Sequence, residues 1–322
     1  MTAQKPRILA TRLLPDAVEA RLRRDYAATL SPDDRFLDSA ELVAAAAGMD
    51  GLLVCASERL TADVIDRLPA SVRIVATYSV GYEHIDLGAA RARGLTVTNT
   101  PDVLTDATAD VAFLLILAAA RRAHEGERMV REDRWTHWHT KLLLGTQVTA
   151  KRLGVLGMGR IGQAVARRGQ GFDMAVHYHN RHRLAAERDQ GARYHDTLAG
   201  LLAEADFLSI NAPSSAATRH ILNAQTIDLL PDGAVVVNTA RGDLIDDDAL
   251  IAALRSGKLA AAGLDVFDGE PRIDPRYRAL ANVFLLPHVG SATVETRDAM
   301  GFCCLDNLDA FFAGRPCPTA LA

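Results

Sequence analysis

Arg241, Glu270 and His288 each stand in a short polar stretch that follows an apolar, strand-like run. The stretches are Asn238-Thr239-Ala240-Arg241-Gly242-Asp243, Gly263-Leu264-Asp265-Val266-Phe267-Asp268-Gly269-Glu270-Pro271 and Leu286-Pro287-His288-Val289-Gly290-Ser291. Open α/β sheets hold their ligands just beyond such strand ends. A guanidinium can clamp a carboxylate through two parallel hydrogen bonds. An imidazole beside a carboxyl group keeps its proton available near neutral pH, because the negative neighbour stabilises the charged ring. Hydride transfer to a 2-keto acid needs a cation for the carboxylate, a proton for the developing alkoxide and a group that fixes the donor's tautomer. A single histidine after a strand is more often structural, so His288 gains its weight from the company of Arg241 and Glu270.

A fourth stretch offers a seat for the hydride carrier. Gly157-Met158-Gly159-Arg160-Ile161-Gly162 follows the apolar run Leu153 to Leu156 and opens an amphipathic segment through Gln163, Ala164, Val165 and Ala166. In this strand-turn-helix context the first glycine permits a tight turn, the second lets the backbone approach a pyrophosphate, and the third packs the helix on its strand. The helix N-terminus then offers unpaired N–H groups to phosphate. An Asp or Glu at the end of the next strand would accept from the 2′-hydroxyl of an adenosine ribose. The strand end here reads His177-Tyr178-His179-Asn180-Arg181-His182-Arg183, with no carboxylate. Arg181, assisted by Arg183 and Asn180, would meet a 2′-phosphate instead, so NADP(H) is preferred and NAD(H) possible. The alternative is a row of ordinary surface cations.

These residues need a scaffold that brings distant strand ends together, and the chain supplies its pattern. Strand-like and helical runs alternate from the start: Ile8–Thr11, Asp16–Arg24, Ser39–Ala47, Leu52–Cys55, Ala62–Leu68, Arg73–Thr77, Ile85–Arg93 and Leu95–Thr98. A second series follows the glycine stretch: Met174–Tyr178, Leu198–Ala203, Phe207–Asn211, Ala234–Asn238, Asp248–Arg255, Ala262–Asp265 and Val283–Leu286. Such alternation predicts α/β architecture with parallel sheets covered by helices. Between the series, Thr100-Pro101-Asp102 breaks the pattern, and Asp106 is expected to cap an apolar helix that ends at Arg121 and Arg122. The segment 123–149 lacks clear periodicity and carries Trp135 and Trp138, as an exposed arm for subunit contact would. Thr293 is expected to cap a last helix with Met300, Cys304, Leu308 and Phe311 on one stripe, making Cys304 a core residue. The expectation is therefore two Rossmann-like, doubly wound domains. A dinucleotide-binding domain (101–290) is inserted into a flavodoxin-like substrate domain (1–100 plus 291–322).

Composition narrows the function. A chain of 322 residues exceeds one small core. Its 40 acidic against 36 basic residues give no positive field for nucleic acid. The longest apolar run, Val111–Ala120, is too short for a bilayer, and Arg7–Ala10 begins a strand too early for a signal peptide. The four cysteines, Cys55, Cys303, Cys304 and Cys317, have neither zinc spacing nor a disulfide framework, and no metal site is expected. A cytoplasmic enzyme fits these limits.

Taken together, the stretches above resemble the D-2-hydroxyacid dehydrogenase family, most closely its glyoxylate and hydroxypyruvate reductase branch, over nearly the whole chain. Two more carry the resemblance: Ser79-Val80-Gly81-Tyr82-Glu83-His84-Ile85-Asp86 and Asn99-Thr100-Pro101-Asp102-Val103-Leu104-Thr105-Asp106-Ala107-Thr108-Ala109. The resemblance implies that Arg241, Glu270 and His288 are the carboxylate clamp, the histidine's partner and the proton donor. It places the backbone of Val80 and Gly81 on the substrate carboxylate and Ser291 at a substrate contact. It sets Asp265 near the nicotinamide amide, with Thr108, Arg160, Ile161, Pro213, Thr239, Ala240 and Gly290 lining the cofactor. The 123–149 arm becomes a homodimerisation arm, in which Trp138 either reaches the neighbouring subunit's active site or only packs the interface. Leu142-Leu143-Leu144 would line the pocket mouth or the dimer contact.

Two departures from the family pattern stand out. Formate dehydrogenase relatives carry an aspartate where Asn180 stands and pair the histidine with glutamine, whereas Glu270 is acidic. The usual Cys-Pro before the adenine pocket is Ala212-Pro213 here. The expected activity is NAD(P)H-dependent reduction of glyoxylate or hydroxypyruvate to glycolate or D-glycerate, with other 2-keto acids as alternative substrates. Domain closure is expected to complete the site. The competing reading is a nucleotide-sensing binding protein or corepressor on the same fold, against which the short tail after Gly314 argues.

Overall fold

The computed structural model describes residues 4–322. Residues up to Leu104, joined by Ser291–Ala322, form one compact unit, and Thr105–Gly290 form a second. In the first, strands β1 (Arg7–Ala10), β2 (Ala27–Thr29), β3 (Gly51–Val54), β4 (Ile74–Thr77) and β5 (Thr96–Thr98) alternate with helices α1 (Asp16–Asp25), α2 (Ser39–Ala45), α3 (Ala62–Arg67) and α4 (Leu87–Arg93). All pairings are parallel, in the order β2-β1-β3-β4-β5. β3 and β4 are buried along their whole length, as central strands covered on both faces must be. Local signals set the helix ends. Asp38 and Glu41 form a capping box on α2, and Gly94 at φ 72° closes α4 in the left-handed conformation.

The second unit opens with α5 (Thr105–Ala120) and α6 (Ala123–Arg131). It continues through β6 (Arg152–Leu156), α7 (Arg160–Gln170), β7 (Ala175–His179), β8 (Arg193–Tyr194), α8 (Leu198–Leu202), β9 (Phe207–Ile210) and α9 (Ala224–Asp228). It closes with β10 (Ala234–Asn238), α10 (Asp247–Ser256), β11 (Leu259–Leu264) and β12 (Val283–Leu285). Its sheet is parallel in the order β12-β11-β10-β9-β6-β7-β8. The chain then returns to the first unit as α11 (Val294–Phe312), which the Thr293 hydroxyl caps by accepting from Thr296 N–H. Met300, Cys304 and Leu308 are buried, with Cys304 only 1% exposed.

The two parallel-sheet units are those the alternation predicts, but several details differ. α5 begins at Thr105, so Asp106 lies in its first turn rather than capping it. Arg121 and Arg122 fall beyond the end of α5, and Arg122, at φ 53°, stands at the N-terminus of α6. The first third of the 123–149 arm is therefore helical. α6 has no buried residue, and the i,i+4 ion pairs Glu127–Arg131 and Arg128–Glu132 support it. Phe311 is only half-buried and stands apart from the buried stripe of α11. The short elements β2, β8 and α9 carry too few residues to show a period.

α5 crosses β11 in close contact at Gly263. A Cβ on Gly263 would lie 2.8 Å from Leu115 Cβ and 3.0 Å from the Leu115 carbonyl oxygen, so the helix rests on a strand that has no side chain there. We expect Gly263→Val to cost about 1–3 kcal/mol through overpacking. Urea denaturation checks this, and an unchanged midpoint would show that α5 can be displaced freely.

Candidate active site

Because every pairing in the seven-stranded sheet is parallel, the carboxyl ends of β6, β9, β10, β11 and β12 gather along one edge. Strand order reverses between β6 and β9, and the glycine turn leaves β6 at that point. Gly157 adopts φ 94°, and a Cβ there would come within 2.6 Å of Ala212 N, on the chain leaving β9. A Cβ on Gly162 would lie 2.3 Å from the Gly157 carbonyl oxygen. Protein packing therefore demands the first and third glycines. At Gly159 a Cβ would meet nothing within 4 Å, which leaves open space before the N-terminus of α7. The pyrophosphate of a nicotinamide dinucleotide fits that cradle, against the N–H groups of the helix start. Arg160 is exposed and Ile161 half-buried beside it.

At the end of β7, Asn180 Oδ1 accepts from Met158 N–H at 2.7 Å, tying this strand end to the glycine turn. Arg181 is exposed, and the Arg183 guanidinium lies 5.9 Å from the centroid of the Tyr194 ring. Pro213 is exposed beyond β9, and Thr239 and Ala240 follow β10.

The Arg241 turn is shaped by Asn238, whose Oδ1 accepts from Ala240 N–H at 2.9 Å and whose Nδ2 donates to the Arg241 carbonyl at 2.8 Å. A Cβ on Gly242 would fall 1.9 Å from the Phe267 carbonyl carbon, so this turn lies directly on the backbone of the loop that carries Glu270. The Glu270 Oε2 accepts from Phe267 N–H at 3.1 Å, and Oε1 lies 2.5 Å from His288 Nδ1. Burial alone pushes the Glu270 carboxyl up. The hydrogen bond and charge of His288, the Phe267 N–H and the Arg241 guanidinium together hold it below the usual range.

His288 sits at φ 55°, a left-handed conformation uncommon for a residue with a side chain. Asp265 accounts for it. The Asp265 carbonyl accepts from His288 N–H at 2.8 Å, Oδ1 from Val289 N–H at 2.7 Å and Oδ2 from Gly290 N–H at 2.8 Å. The carboxylate is 1% exposed, and burial raises its pKa against the pull of those N–H groups and of His288. Thr108, 5% exposed, lies beside it: a Cβ on Gly290 would come 3.2 Å from Asp265 Oδ2 and 3.4 Å from Thr108 Cγ2. With Nδ1 engaged by Glu270, Nε2 is the ring atom left to hold and give a proton.

Arg241, Glu270 and His288, distant in sequence, thus lie within one unit at one sheet edge. Val80, Gly81 and Ser291 belong to the other unit, where all three are half-buried; Val80 and Gly81 follow β4. Trp138 is 73% exposed on the arm. Sequence reasoning missed Arg219, whose guanidinium reaches Asp268 at 3.2 Å and Asp243 at 3.9 Å, clasping the Arg241 and Glu270 loops. It also missed Tyr194 beneath Arg183. Neither lies in a motif, and β8, which carries Tyr194, is two residues long.

An acid–imidazole pair beyond β11 and β12, at the same sheet edge as a nucleotide-binding glycine turn, defines a nicotinamide-dependent oxidoreductase site. Residues 113–290 match the NAD binding domain of the D-isomer specific 2-hydroxyacid dehydrogenases. The chain is 46% identical over 320 residues to the glycerate dehydrogenase of Hyphomicrobium methylovorum, covering 99% of each chain. It is 41% identical to the glyoxylate reductase of Pyrococcus furiosus, over 98% of this chain and 95% of that one. The fold matches the NADPH-dependent glyoxylate/hydroxypyruvate reductase of Sinorhizobium meliloti, solved with NADP and malonate, with a TM-score of 0.89. Identity to it is 36%, over 99% of this chain and 97% of that one. The chain belongs to the D-isomer specific 2-hydroxyacid dehydrogenase family.

The Glu270–His288 pair sets a pH dependence. A carboxyl held below its ordinary value of 4.5 contributes stability that is present above that pH and lost as pH falls through the lower folded value. Urea midpoints followed down through that acid range should therefore fall less steeply for Glu270→Gln than for the wild type. Parallel curves would mean that the pair contributes nothing.

Proposed function

We propose that this chain reduces a small 2-keto acid, glyoxylate or hydroxypyruvate, to glycolate or D-glycerate with NADPH. The observation that carries the reading is the 2.5 Å contact of His288 Nδ1 with Glu270, on a turn that Asp265 grips, at the edge where the glycine turn lies. The activities named for the relatives from Hyphomicrobium, Pyrococcus and Sinorhizobium support the substrate class. Gly157, Gly159 and Gly162 would hold the nicotinamide dinucleotide, which would supply a hydride for the carbonyl carbon. Arg241 holds the substrate carboxylate, and His288 Nε2 delivers the proton to the carbonyl oxygen. Glu270 orients the ring and stabilises its charged form before the transfer. We assign the substrate carboxylate also to the backbone of Val80 and Gly81, and further substrate contacts to Ser291 and Trp138. Thr108, Arg160, Ile161, Pro213, Thr239, Ala240, Asp265 and Gly290 are assigned to the cofactor.

Preference for NADPH rests on the β7 end, where Asn180 replaces a carboxylate and Arg181 is exposed. Two copies of the chain are inferred from the arm, where Val130, Trp135, Trp138 and Leu144 are 54–73% exposed. A groove of about 520 Å³ lined by Leu144 and Phe284 lies at the arm's base. Among the described residues no helix is long and apolar enough to cross a membrane. The four unpaired thiols support a reducing, cytoplasmic setting.

Absorbance of NADPH during incubation with glyoxylate, beside NADH, tests the assignment. His288→Ala should lose on the order of 10²–10⁴ in kcat, while Arg241→Ala should chiefly raise KM for the keto acid. Wild-type turnover by His288→Ala would overturn the mechanism. In the same assay Arg181→Ala should raise KM for NADPH about tenfold and leave NADH nearly unaffected, since NADH carries a neutral hydroxyl where NADPH carries the 2′-phosphate. Equal losses with the two cofactors would remove Arg181 from the selectivity.

A further inference from the structure

The loop after β4 turns three successive carbonyl groups into the protein. Thr100 N–H donates to the Ser79 carbonyl at 2.9 Å, Asn99 Nδ2 to the Val80 carbonyl at 2.8 Å and Ser79 Oγ to the Gly81 carbonyl at 2.6 Å. A trans peptide sets each carbonyl opposite the next residue's N–H. The N–H groups of Val80, Gly81 and Tyr82 are therefore aimed away from the donors that hold those carbonyls. Among the described residues these three N–H groups meet no acceptor. Successive free N–H groups on a fixed turn make an anion-binding concavity without any cationic side chain.

Two side chains hold this arrangement, and each is itself anchored. Ser79 Oγ has one proton, which goes to Gly81, so it accepts from Thr77 Oγ1, 2.9 Å away. Thr77 in turn lies 2.9 Å from His84 Nε2, from which it accepts. The chain of donors runs in one direction and ends on the Gly81 carbonyl. Asn99 is 7% exposed and is clamped by the C-terminal segment: Thr319 Oγ1 donates to the Asn99 carbonyl at 2.6 Å, and Asn307 Nδ2 holds Thr319 Oγ1 at 2.8 Å. Asn99 thus reaches Val80 from a backbone that α11 immobilises.

We infer that Asn99 and Ser79 are positioning residues for substrate carboxylate binding, because they lock the Val80–Gly81 loop with its N–H groups outward. This rests on the proposed role of Val80 and Gly81. It adds that the loop is held from outside by Asn99, which follows β5 and is clamped by the C-terminal segment, and from within by Ser79, anchored on Thr77 of β4. Removing either side chain frees one peptide plane to rotate, and a rotated plane presents a carbonyl oxygen to the carboxylate in place of an N–H.

The test uses the full chain with NADPH bound and the variants Asn99→Asp, Ser79→Ala and Ser79→Thr. Asn99→Asp keeps the size of the side chain and removes the donor to Val80. Asn99→Asp and Ser79→Ala should each raise KM for glyoxylate on the order of tenfold and leave kcat within about threefold. They should weaken calorimetric binding of oxalate by a similar factor, while the Kd for NADPH stays the same. Ser79→Thr, which retains the hydroxyl, should restore the wild-type values. Unchanged KM and oxalate affinity in both variants would overturn the inference, as would equal loss of NADPH binding or failure of Ser79→Thr to rescue. If the wild type binds oxalate but reduces no keto acid, the oxalate titrations alone decide the brace, and only the proposed reaction falls. A wild type that neither binds oxalate nor turns over glyoxylate overturns both.

Discussion

One buried carboxylate sets the geometry of the site. Asp265 takes three consecutive N–H groups, from His288, Val289 and Gly290, through its carbonyl and its two side-chain oxygens. Without that grip, a histidine at φ 55° would relax toward the conformations that side-chain-bearing residues prefer. The ring would then lose its fixed direction toward Glu270. The arrangement costs something, since burial disfavours the charged form of Asp265 and raises its pKa. That cost is offset by hydrogen bonds to a charged acceptor, each stronger than a neutral one. Strain at His288 and burial at Asp265 therefore belong to a single device.

The parallel sheet makes such a device possible. Asp265 directly follows β11 and His288 follows the adjacent β12, so two residues more than twenty positions apart meet because their strands are neighbours with the same direction. Gly242 brings the third loop in, since only a residue without a side chain lets the Arg241 turn rest on the Phe267–Asp268 backbone. Arg219 spans the two loops from outside, half-exposed and ion-paired to Asp243 and Asp268. Exposed pairs of this kind contribute little stability. The close backbone approach at Gly242 does more to fix the distance between the loops.

The large elements were legible in the chain because strands buried on both faces read as continuous apolar runs, and because the polar stretches after β10, β11 and β12 break those runs abruptly. Arg241, Glu270 and His288 were singled out as candidates by residue type and position for the same reason. What was hidden has physical causes. β8 has two residues, too few to carry a side-chain period. α6 is nine residues long and buries nothing, so no core-facing residue marks it. Asp106 looked like a cap because it is acidic and precedes an apolar run, but α5 starts at Thr105, which makes Asp106 its second residue. Asp265 was marked by its resemblance to a cofactor contact. Its hold on the His288 turn consists of bonds to backbone, which no residue pattern records.

The three glycines of the turn after β6 answer to different masters. Gly157 and Gly162 are confined by atoms of the chain itself, at Ala212 and at the Gly157 carbonyl. Gly159 has an ordinary φ of −75° and empty space where a side chain would be. Nothing in the polypeptide forbids alanine there, so the constraint on that position comes from a molecule the chain does not encode. In a descendant that had abandoned its nucleotide, Gly159 would be the first of the three to drift, while its two companions stayed for the sake of folding.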